Sequence, residues 1–186
     1  MPHQLERLKM ENLKNALIAL LSVLATGAVS AQSMSGQGDY AEVGYTALNI
    51  KNNNNGFDIT PKLARLIVGK EINKAWTVEG TYAFTASDDS AVVNGTKYTG
   101  KASFFGAYLK PKFEIAQDVE FFARVGALHA KYEDEGSRFS KTKLSYGIGV
   151  QSQFTKDVYG QVDYMHYGKQ DSVTAKGFTL SIGTRF

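Results

Sequence analysis

The feature that most constrains the fold of this chain is an alternation of apolar and polar residues with a period of two. It recurs in eight runs after residue 39. Successive side chains of a β-strand point to opposite faces, so this period predicts strands whose two faces meet different surroundings. In the clearest run, Trp76, Val78 and Tyr82 alternate with Thr77 and Glu79. The runs cover residues 40–50, 62–73, 75–85, 98–113, 119–132, 142–154, 158–168 and 175–186.

The segments that connect these runs alternate between long and short. The longer ones are 51–60, 86–97, 133–141 and 169–174, and the short ones are 73–74, 116–118 and 155–157. An even-stranded up-and-down barrel of an outer membrane has this asymmetry, because its tight turns lie at one end and its longer loops at the other. We therefore predict an all-β fold, an eight-stranded antiparallel up-and-down barrel.

The N-terminus has the organisation of a secretory signal. Basic residues precede an apolar stretch at 16–29, and small residues follow it, so we expect cleavage after Ala31. This stretch is shorter than the roughly 20 residues that a membrane-spanning helix needs. The sequence leaves open whether Met1 or Met10 is the start. The predicted organisation is a cleavable signal peptide at 1–31, a short periplasmic segment at 32–38 and the barrel at 39–186.

Composition excludes several classes of function. The 186 residues include no cysteine, which excludes disulfides and thiolate metal sites. The formal net charge of +3 is spread along the chain, so nothing indicates a nucleic-acid-binding surface. His129 and His166 have no supporting carboxylate spacing and make a poor metal site. We expect no cofactor, no metal and no nucleic-acid partner.

The alternation alone does not say whether the apolar face points into the barrel or away from it, because a soluble barrel of the lipocalin kind turns its apolar face inward around a ligand. Here the polar face collects ions of both signs with Gly, Ser and Thr, which suits a crowded interior where charges must pair. The ionic residues of that face are Glu42, Arg65, Glu71, Glu79, Arg124, Asp163 and Arg185. We therefore predict that the apolar face points outward to lipid, which makes the barrel transmembrane.

Aromatic residues gather near the strand ends and predict two interfacial girdles. Those near the short turns are Trp76, Phe113, Phe121, Phe154 and Phe186. Those near the long loops are Tyr82, Phe84, Phe105, Tyr146, Tyr164 and Phe178. Pro111 lacks the N–H that a ladder needs, so we place it at the margin of the barrel near a short turn.

From about residue 39 to the end, the pattern resembles the OmpA/OmpX-type outer-membrane β-barrel family, also labelled porin family or opacity-like proteins. The matching pieces are Arg65-x-x-x-Gly69, the run from Trp76 to Tyr82, Gly147-Ile148-Gly149-Val150, Val162-Asp163-Tyr164 and the terminal strand. The resemblance implies a location in the Gram-negative outer membrane, with membrane lipid and lipopolysaccharide as partners. It also implies a C-terminal signal that the barrel-assembly machinery reads, formed by Phe178, Leu180, Ile182 and Phe186. We expect a monomer.

The predicted role is structural and surface-interacting rather than enzymatic. Eight strands enclose an interior just wide enough for side chains to fill, so we expect no wide channel. We hypothesise that three carboxylates pair with three guanidinium groups there; for any one pair the alternative is a wet rim position without a fixed partner. The residues concerned are Glu42, Glu79 and Asp163 with Arg65, Arg124 and Arg185.

Two alternative functions stay open. Some small barrels modify lipid A, and the lipid A deacylases use a His with a Ser two residues later. Here Gly168 stands where that Ser would follow His166, so the nucleophile is missing. An adhesin acting through its loops is the other alternative, because segments such as 52–56, 88–89 and 133–135 are polar and variable in charge.

Overall fold

The computed structural model describes residues 38–52, 54, 58–87, 89–93, 96–100, 102–134, 137–170 and 172–186. The predicted signal peptide, its cleavage after Ala31 and the predicted periplasmic segment up to residue 37 lie outside these residues. No helix in the described part of the chain is long and apolar enough to cross a membrane.

The described residues form strands that close into a barrel. The strands are β1 (Asp39–Asn52), β2 (Asp58–Ile59), β3 (Lys62–Asn73), β4 (Trp76–Ser87), β5 (Asp89–Val93), β6 (Thr96–Gly100), β7 (Ala102–Ala116), β8 (Val119–Asp134), β9 (Ser137–Gln153), β10 (Val158–Gln170) and β11 (Val173–Arg185). Eight of them pair as antiparallel neighbours in the order β11-β10-β9-β8-β7-β4-β3-β1, and β11 pairs with β1 to complete the cylinder. The predicted eight-stranded antiparallel barrel is therefore confirmed.

The two faces of the wall differ as the period of two predicts. Along β4, Thr77, Glu79 and Ala83 are buried, whereas the side chains of Val78 and Tyr82 between them are exposed. Exposed aromatic side chains lie on the outer wall near both ends. Trp76, Phe113 and Phe154 lie near the short turns, and Phe105, Tyr146, Tyr164 and Phe178 lie toward the long loops.

Pro111 lies where its missing N–H requires. It stands opposite Trp76, the first residue of β4, close to the turn at 74–75. The next residue, Lys112, donates its backbone N–H to the carbonyl of Ala75 over 2.9 Å. The proline therefore falls at the short-turn margin rather than in the middle of the sheet.

Two connections differ from the prediction. Part of the expected loop at 86–97 belongs to a separate two-stranded sheet of β5 and β6, and β7 begins at Ala102 instead of residue 98. The predicted loop at 133–141 is mostly strand, because β8 runs to Asp134 and β9 starts at Ser137. Outside the lipid a hairpin needs no apolar face, so strand residues there leave no alternation in the sequence.

Several inward aromatic rings lie directly over a glycine of the neighbouring strand. Phe122 stands opposite Gly149, and Tyr159 stands opposite Gly183. A Cβ added at Gly149 would overlap the Phe122 ring, and one at Gly183 would overlap the Tyr159 ring. These glycines therefore make room for large side chains inside a narrow cylinder.

Candidate functional site

The middle of the barrel holds a buried network of charged side chains. Arg65 on β3 binds both carboxylate oxygens of Asp163 on β10, with Nη1 at 2.9 Å from Oδ1. Arg124 on β8 reaches Glu79 through Nε (2.5 Å) and Nη2 (3.0 Å), and Asp163 through Nη1 (2.9 Å). It also contacts Glu42 on β1 at 3.4 Å. Asp163 therefore links the two guanidinium groups across the lumen.

Lys110 on β7 completes the charge balance of this network. Its Nζ lies 3.4 Å from Glu42 and 3.3 Å from Glu79, and 4.5 Å from the centre of the Phe122 ring. Three cations thus meet three carboxylates, and every one of these side chains is at most 2% exposed. We call this set of Glu42, Arg65, Glu79, Lys110, Arg124 and Asp163 the central network.

Neutral side chains donate further hydrogen bonds to the carboxylates of the central network. The Tyr40 hydroxyl donates to Glu79 over 2.6 Å, and the Tyr159 hydroxyl donates to Glu42 over 2.8 Å. Gln161 donates to Glu42 over 2.7 Å. A buried charge costs several kcal/mol unless it is paired and hydrogen-bonded, so this density of partners is what makes the ions tolerable.

Arg185 does not join the other predicted members of the charge network. It lies at the end of β11, with Nε at 3.7 Å from Glu71 and Nη2 at 3.5 Å from Glu120. Lys112 contacts the same two carboxylates at 2.5 and 3.3 Å. Arg185 shares the inward face with the central network but lies at another depth, where a cavity of about 570 Å³ opens at the short-turn end. Lys110 occupies the place that the prediction gave to Arg185.

Toward the long loops the interior is apolar. Phe104 on β7 packs against Tyr167 on β10 with ring centres 5.0 Å apart, and Leu63 is fully buried beside them. The members of this apolar layer are Leu48, Leu63, Ala83, Phe104, Tyr108, Leu128, Met165 and Tyr167. The central network and the apolar layer together fill the lumen at two levels. The sequence places Phe104 and Tyr108 on the inner face but gives no sign of a continuous layer.

The backbone pairing between β9 and β10 stops before the long-loop end of the two strands. Their ladder runs from Gln153 opposite Tyr159 to Tyr146 opposite His166 and goes no further. Beyond it β10 has a bulge between His166 and Gly168, and Gly168 adopts a φ of 136°. Ser145 Oγ donates to the carbonyl of His166 over 3.0 Å. Lys143 Nζ donates to that of Lys169 over 3.3 Å, so side chains replace the ladder here.

His129 and His166 lie on the outer wall. The ring of His166 stacks on Tyr146 with centres 5.0 Å apart, and that of His129 lies 5.0 Å from Phe105. Within the described residues no group of three or more His, Cys, Asp or Glu could hold a metal ion. Gly168, two residues after His166, offers no hydroxyl.

Exposed lysines gather above the apolar belt on one flank of the barrel. Lys176 on β11 stands opposite His166 on β10 and Asn49 on β1. Nearer the loops, Lys51 and Lys169 both stand opposite Thr174 of β11, one from each side. We call Lys51, Lys169 and Lys176 the flank lysines; all three side chains are exposed.

The C-terminal strand turns apolar side chains outward. Phe178, Leu180 and Ile182 of β11 are 54%, 62% and 39% exposed, and Phe186, which follows the strand, is 43% exposed. Between them Thr179, Ser181 and Gly183 are buried. The strand thus offers one continuous apolar row on its outer face.

Comparison with known proteins gives a consistent family signal. Residues 17–186 match the family described as outer membrane protein beta-barrel domain. The chain is 28% identical over 179 residues to the attachment invasion locus protein of Yersinia enterocolitica, covering 94% of this chain and 97% of that protein.

Solved structures give the same picture. The structure of Ail, the attachment invasion locus protein of Yersinia pestis, in complex with the heparin analogue sucrose octasulfate is similar with a TM-score of 0.58 and 25% identity, covering 81% of this chain and all of that chain. Neisserial surface protein A is similar in fold, with a TM-score of 0.61 and 18% identity over 81% of this chain and 98% of its own.

Proposed function

This chain belongs to the family of outer membrane protein β-barrel domains, and we propose on that premise that it is an attachment scaffold of the Gram-negative cell surface. The barrel lies in the outer membrane, and its long-loop end faces outward as in other barrels of this kind. The observation that carries the proposal is the filled lumen: among the described residues, buried side chains of the central network and the apolar layer occupy the interior, which argues against a wide passage for solutes. The external hairpins are then the surface through which the protein acts.

The attachment role draws on the relatives as well. The similar protein of Yersinia enterocolitica is named for attachment and invasion, and the Yersinia pestis protein was solved with a heparin analogue. In this chain the β8–β9 hairpin and the β5–β6 sheet extend the external surface.

Hairpin exchange on living cells tests this role. Residues 133–141 are replaced by a tight Asn-Gly turn in one variant, and 88–100 in another, in a non-adherent Gram-negative host. Attachment to epithelial cells should fall to the level of the empty host for at least one variant, and soluble heparin serves as competitor. Attachment that is unchanged in both variants, with equal surface display, would contradict the proposal.

For the membrane partner we propose lipopolysaccharide, held partly by the flank lysines. Their cationic side chains lie just outside the apolar belt, where the phosphate groups of that lipid would lie. A variant with all three changed to Gln should lose a large part of its thermal stabilisation by added lipopolysaccharide, whereas Lys74→Gln at the short-turn end should not. If lipopolysaccharide stabilises both variants equally, the flank lysines do not bind it.

We propose that the scaffold is not an enzyme. A lipid A deacylase of the type considered above needs a hydroxyl beside His166, and the stacked ring of His166 faces Tyr146 instead. Mass spectra of lipid A from expressing cells should match those of the empty host. Loss of an acyl chain that depends on His166 would establish the enzymatic alternative.

Biogenesis and assembly state complete the proposal. We propose export through the signal peptide at 1–31, so the mature protein should begin at Gln32 in N-terminal sequencing. We also propose that the outward apolar row of β11 is recognised by the barrel-assembly machinery. We further propose a monomer; the closed sheet supports this, because its barrel strands are already paired on both sides within one chain. A sedimentation mass of one chain in detergent is expected; a stable dimer would contradict that part.

A further inference from the structure

A lysine–aspartate pair lies on the outer wall of the barrel, close to the short-turn end. Lys70 on β3 stands opposite Asp39 on β1, and its Nζ lies 3.5 Å from Asp39 Oδ1. The side chain of Lys70 is 68% exposed and that of Asp39 is 15% exposed. Val68 and Ile72, which precede and follow Lys70 on the same face of β3, are apolar and exposed. The pair therefore interrupts an apolar stretch of the lipid-facing wall.

The backbone holds Asp39 in place beside Lys70. The N–H of Glu71 donates to the carbonyl of Gly38 over 2.8 Å, so the contact between β1 and β3 continues just before Asp39. Gly38 has a φ of 109°, which favours glycine at this entry to the strand. Asp39 Oδ1 has no hydrogen-bond donor among the described residues. The carboxylate therefore keeps acceptor capacity that the ion pair does not use.

The height of the pair on the wall matches that of lipid headgroups. Lys70 lies three residues before the end of β3 at Asn73. For a strand tilted by about 40°, this places it about 8 Å from the strand end along the barrel axis, and a lysine side chain extends from such a depth toward the aqueous boundary. Trp76, exposed at the start of β4, offers an indole N–H at the same margin. The periplasmic leaflet, which this end of the barrel meets, consists of phospholipid.

The two charges of the pair select the headgroup. The ammonium group of Lys70 attracts a phosphate, and the carboxylate of Asp39 attracts a cation that can donate N–H groups. Phosphatidylethanolamine has both a phosphate and a primary ammonium group. Phosphatidylcholine has a trimethylated ammonium without N–H donors, and phosphatidylglycerol has no cation. A neutral pair of opposite charges therefore fits the first of these lipids best.

We propose that Lys70 and Asp39 form a binding site for the phosphoethanolamine headgroup of a phospholipid in the periplasmic leaflet. Lys70 contacts the phosphate, Asp39 accepts hydrogen bonds from the ammonium group, and Trp76 borders the site. The acyl chains lie along apolar residues of the wall such as Val68 and Val78, which stands opposite Lys70. This site lies at the opposite end of the barrel from the external hairpins, so the inference does not depend on the proposed attachment role.

Lipid selectivity at Trp76 tests the proposal. Trp76 is the single tryptophan of the chain and lies beside the site, so its fluorescence reports which lipid is adjacent. The full barrel is reconstituted in bilayers in which either phosphatidylethanolamine or phosphatidylcholine carries brominated acyl chains. The parent should prefer phosphatidylethanolamine about three- to fivefold. Lys70→Gln and Asp39→Asn should each abolish this preference, and Lys156→Gln, an exposed lysine in the turn at 155–157, is the matched control that should keep it.

The two single variants should respond to phosphatidylglycerol in opposite directions. Asp39→Asn leaves the Lys70 cation unpaired and should bind this anionic lipid more tightly than the parent, whereas Lys70→Gln leaves a carboxylate unpaired and should bind it more weakly. An ion pair with a merely structural role would give no such divergence.

A double variant keeps the proposal testable if a single variant fails to fold. Asp39→Lys combined with Lys70→Asp retains both charges and should retain the preference for phosphatidylethanolamine. Equal quenching of the parent by brominated phosphatidylethanolamine and phosphatidylcholine would overturn the proposal, and so would an unchanged preference in both single variants. Because quenching is measured in bilayers without host cells, a loss of attachment in the hairpin variants leaves this result unaffected.

Discussion

Inside the barrel, the contribution of a charged side chain to stability depends on the partners that surround it. Arg124 has contacts to three carboxylates and is 2% exposed, so its neighbours would be left as uncompensated charges if it were removed. Arg185 at the short-turn end is more exposed and keeps access to water. The two arginines therefore contribute differently although both face inward.

Arg124→Leu should lower the free energy of unfolding by about 3–5 kcal/mol, because it leaves Glu42, Glu79 and Asp163 with two cations instead of three. Arg185→Leu is the matched control and should cost less than about 1 kcal/mol. Urea titration in detergent micelles measures both. If both variants lose the same free energy of unfolding, the central network contributes no more to stability than the ion pairs at the short-turn end.

Gly149→Ala should destabilise the barrel by about 1–3 kcal/mol, since the new methyl group would overlap the Phe122 ring and the carbonyl of Val162. Gly80→Ala is the control, because its methyl group would meet only Val68, at an ordinary 3.6 Å. The same urea titration reports both values. A neutral G149A would mean that the Phe122 ring moves aside at little cost.

The face of each residue was predictable, and its depth was not. The parity of Glu42, Arg65 and Asp163 along their strands is enough to place them inside. Parity says nothing about height in the cylinder, which depends on the tilt and stagger of all eight strands. Parity alone therefore groups Arg185 with carboxylates that lie at another depth, and it does not single out Lys110, which lies on the same face.

At the scale of whole elements, strand positions inside the lipid followed from the alternation, and those outside did not. β4 begins one residue after the predicted start and closely follows the predicted run. The β8–β9 hairpin and the β5–β6 sheet lie where apolar alternation is not required, so the sequence offers no corresponding pattern. The bulge between His166 and Gly168 lies beside Lys143 of another strand, whose Nζ donates to the carbonyl of Lys169; no local sequence pattern predicts this contact.

Deletion of Phe186 should reduce assembly of the barrel without changing its central network. The residue ends the outward apolar row of β11, which we propose as the assembly signal. The fraction that migrates as a folded, heat-modifiable band from outer membranes should fall several-fold. Thr184→Ser on the same strand is the control and should assemble normally; an unchanged band for the deletion would remove Phe186 from the signal.

At the scale of the whole molecule, the barrel has an inverted arrangement, with charged groups in its centre and apolar groups on its outside. That arrangement explains how Leu144 and Leu180 are 66% and 62% exposed while Glu79 and Lys110 are buried. In water the outer wall would be a large apolar surface without cover. In a bilayer the apolar outer wall contacts lipid chains, and each of the eight barrel strands pairs with a neighbour on both sides, as a sheet that spans lipid requires.

Quenching of tryptophan fluorescence by brominated lipids tests this arrangement most directly. Trp76 is the single tryptophan of the chain, so Trp76→Phe combined with Leu180→Trp moves the probe to the outer wall of β11. We predict strong quenching at position 180 by bromine deep in the acyl chains, quenching of Trp76 by bromine nearer the headgroups, and little effect of aqueous iodide on the deep probe. Insensitivity of the probe at position 180 to every brominated lipid, with ready quenching by iodide, would contradict the membrane barrel described here.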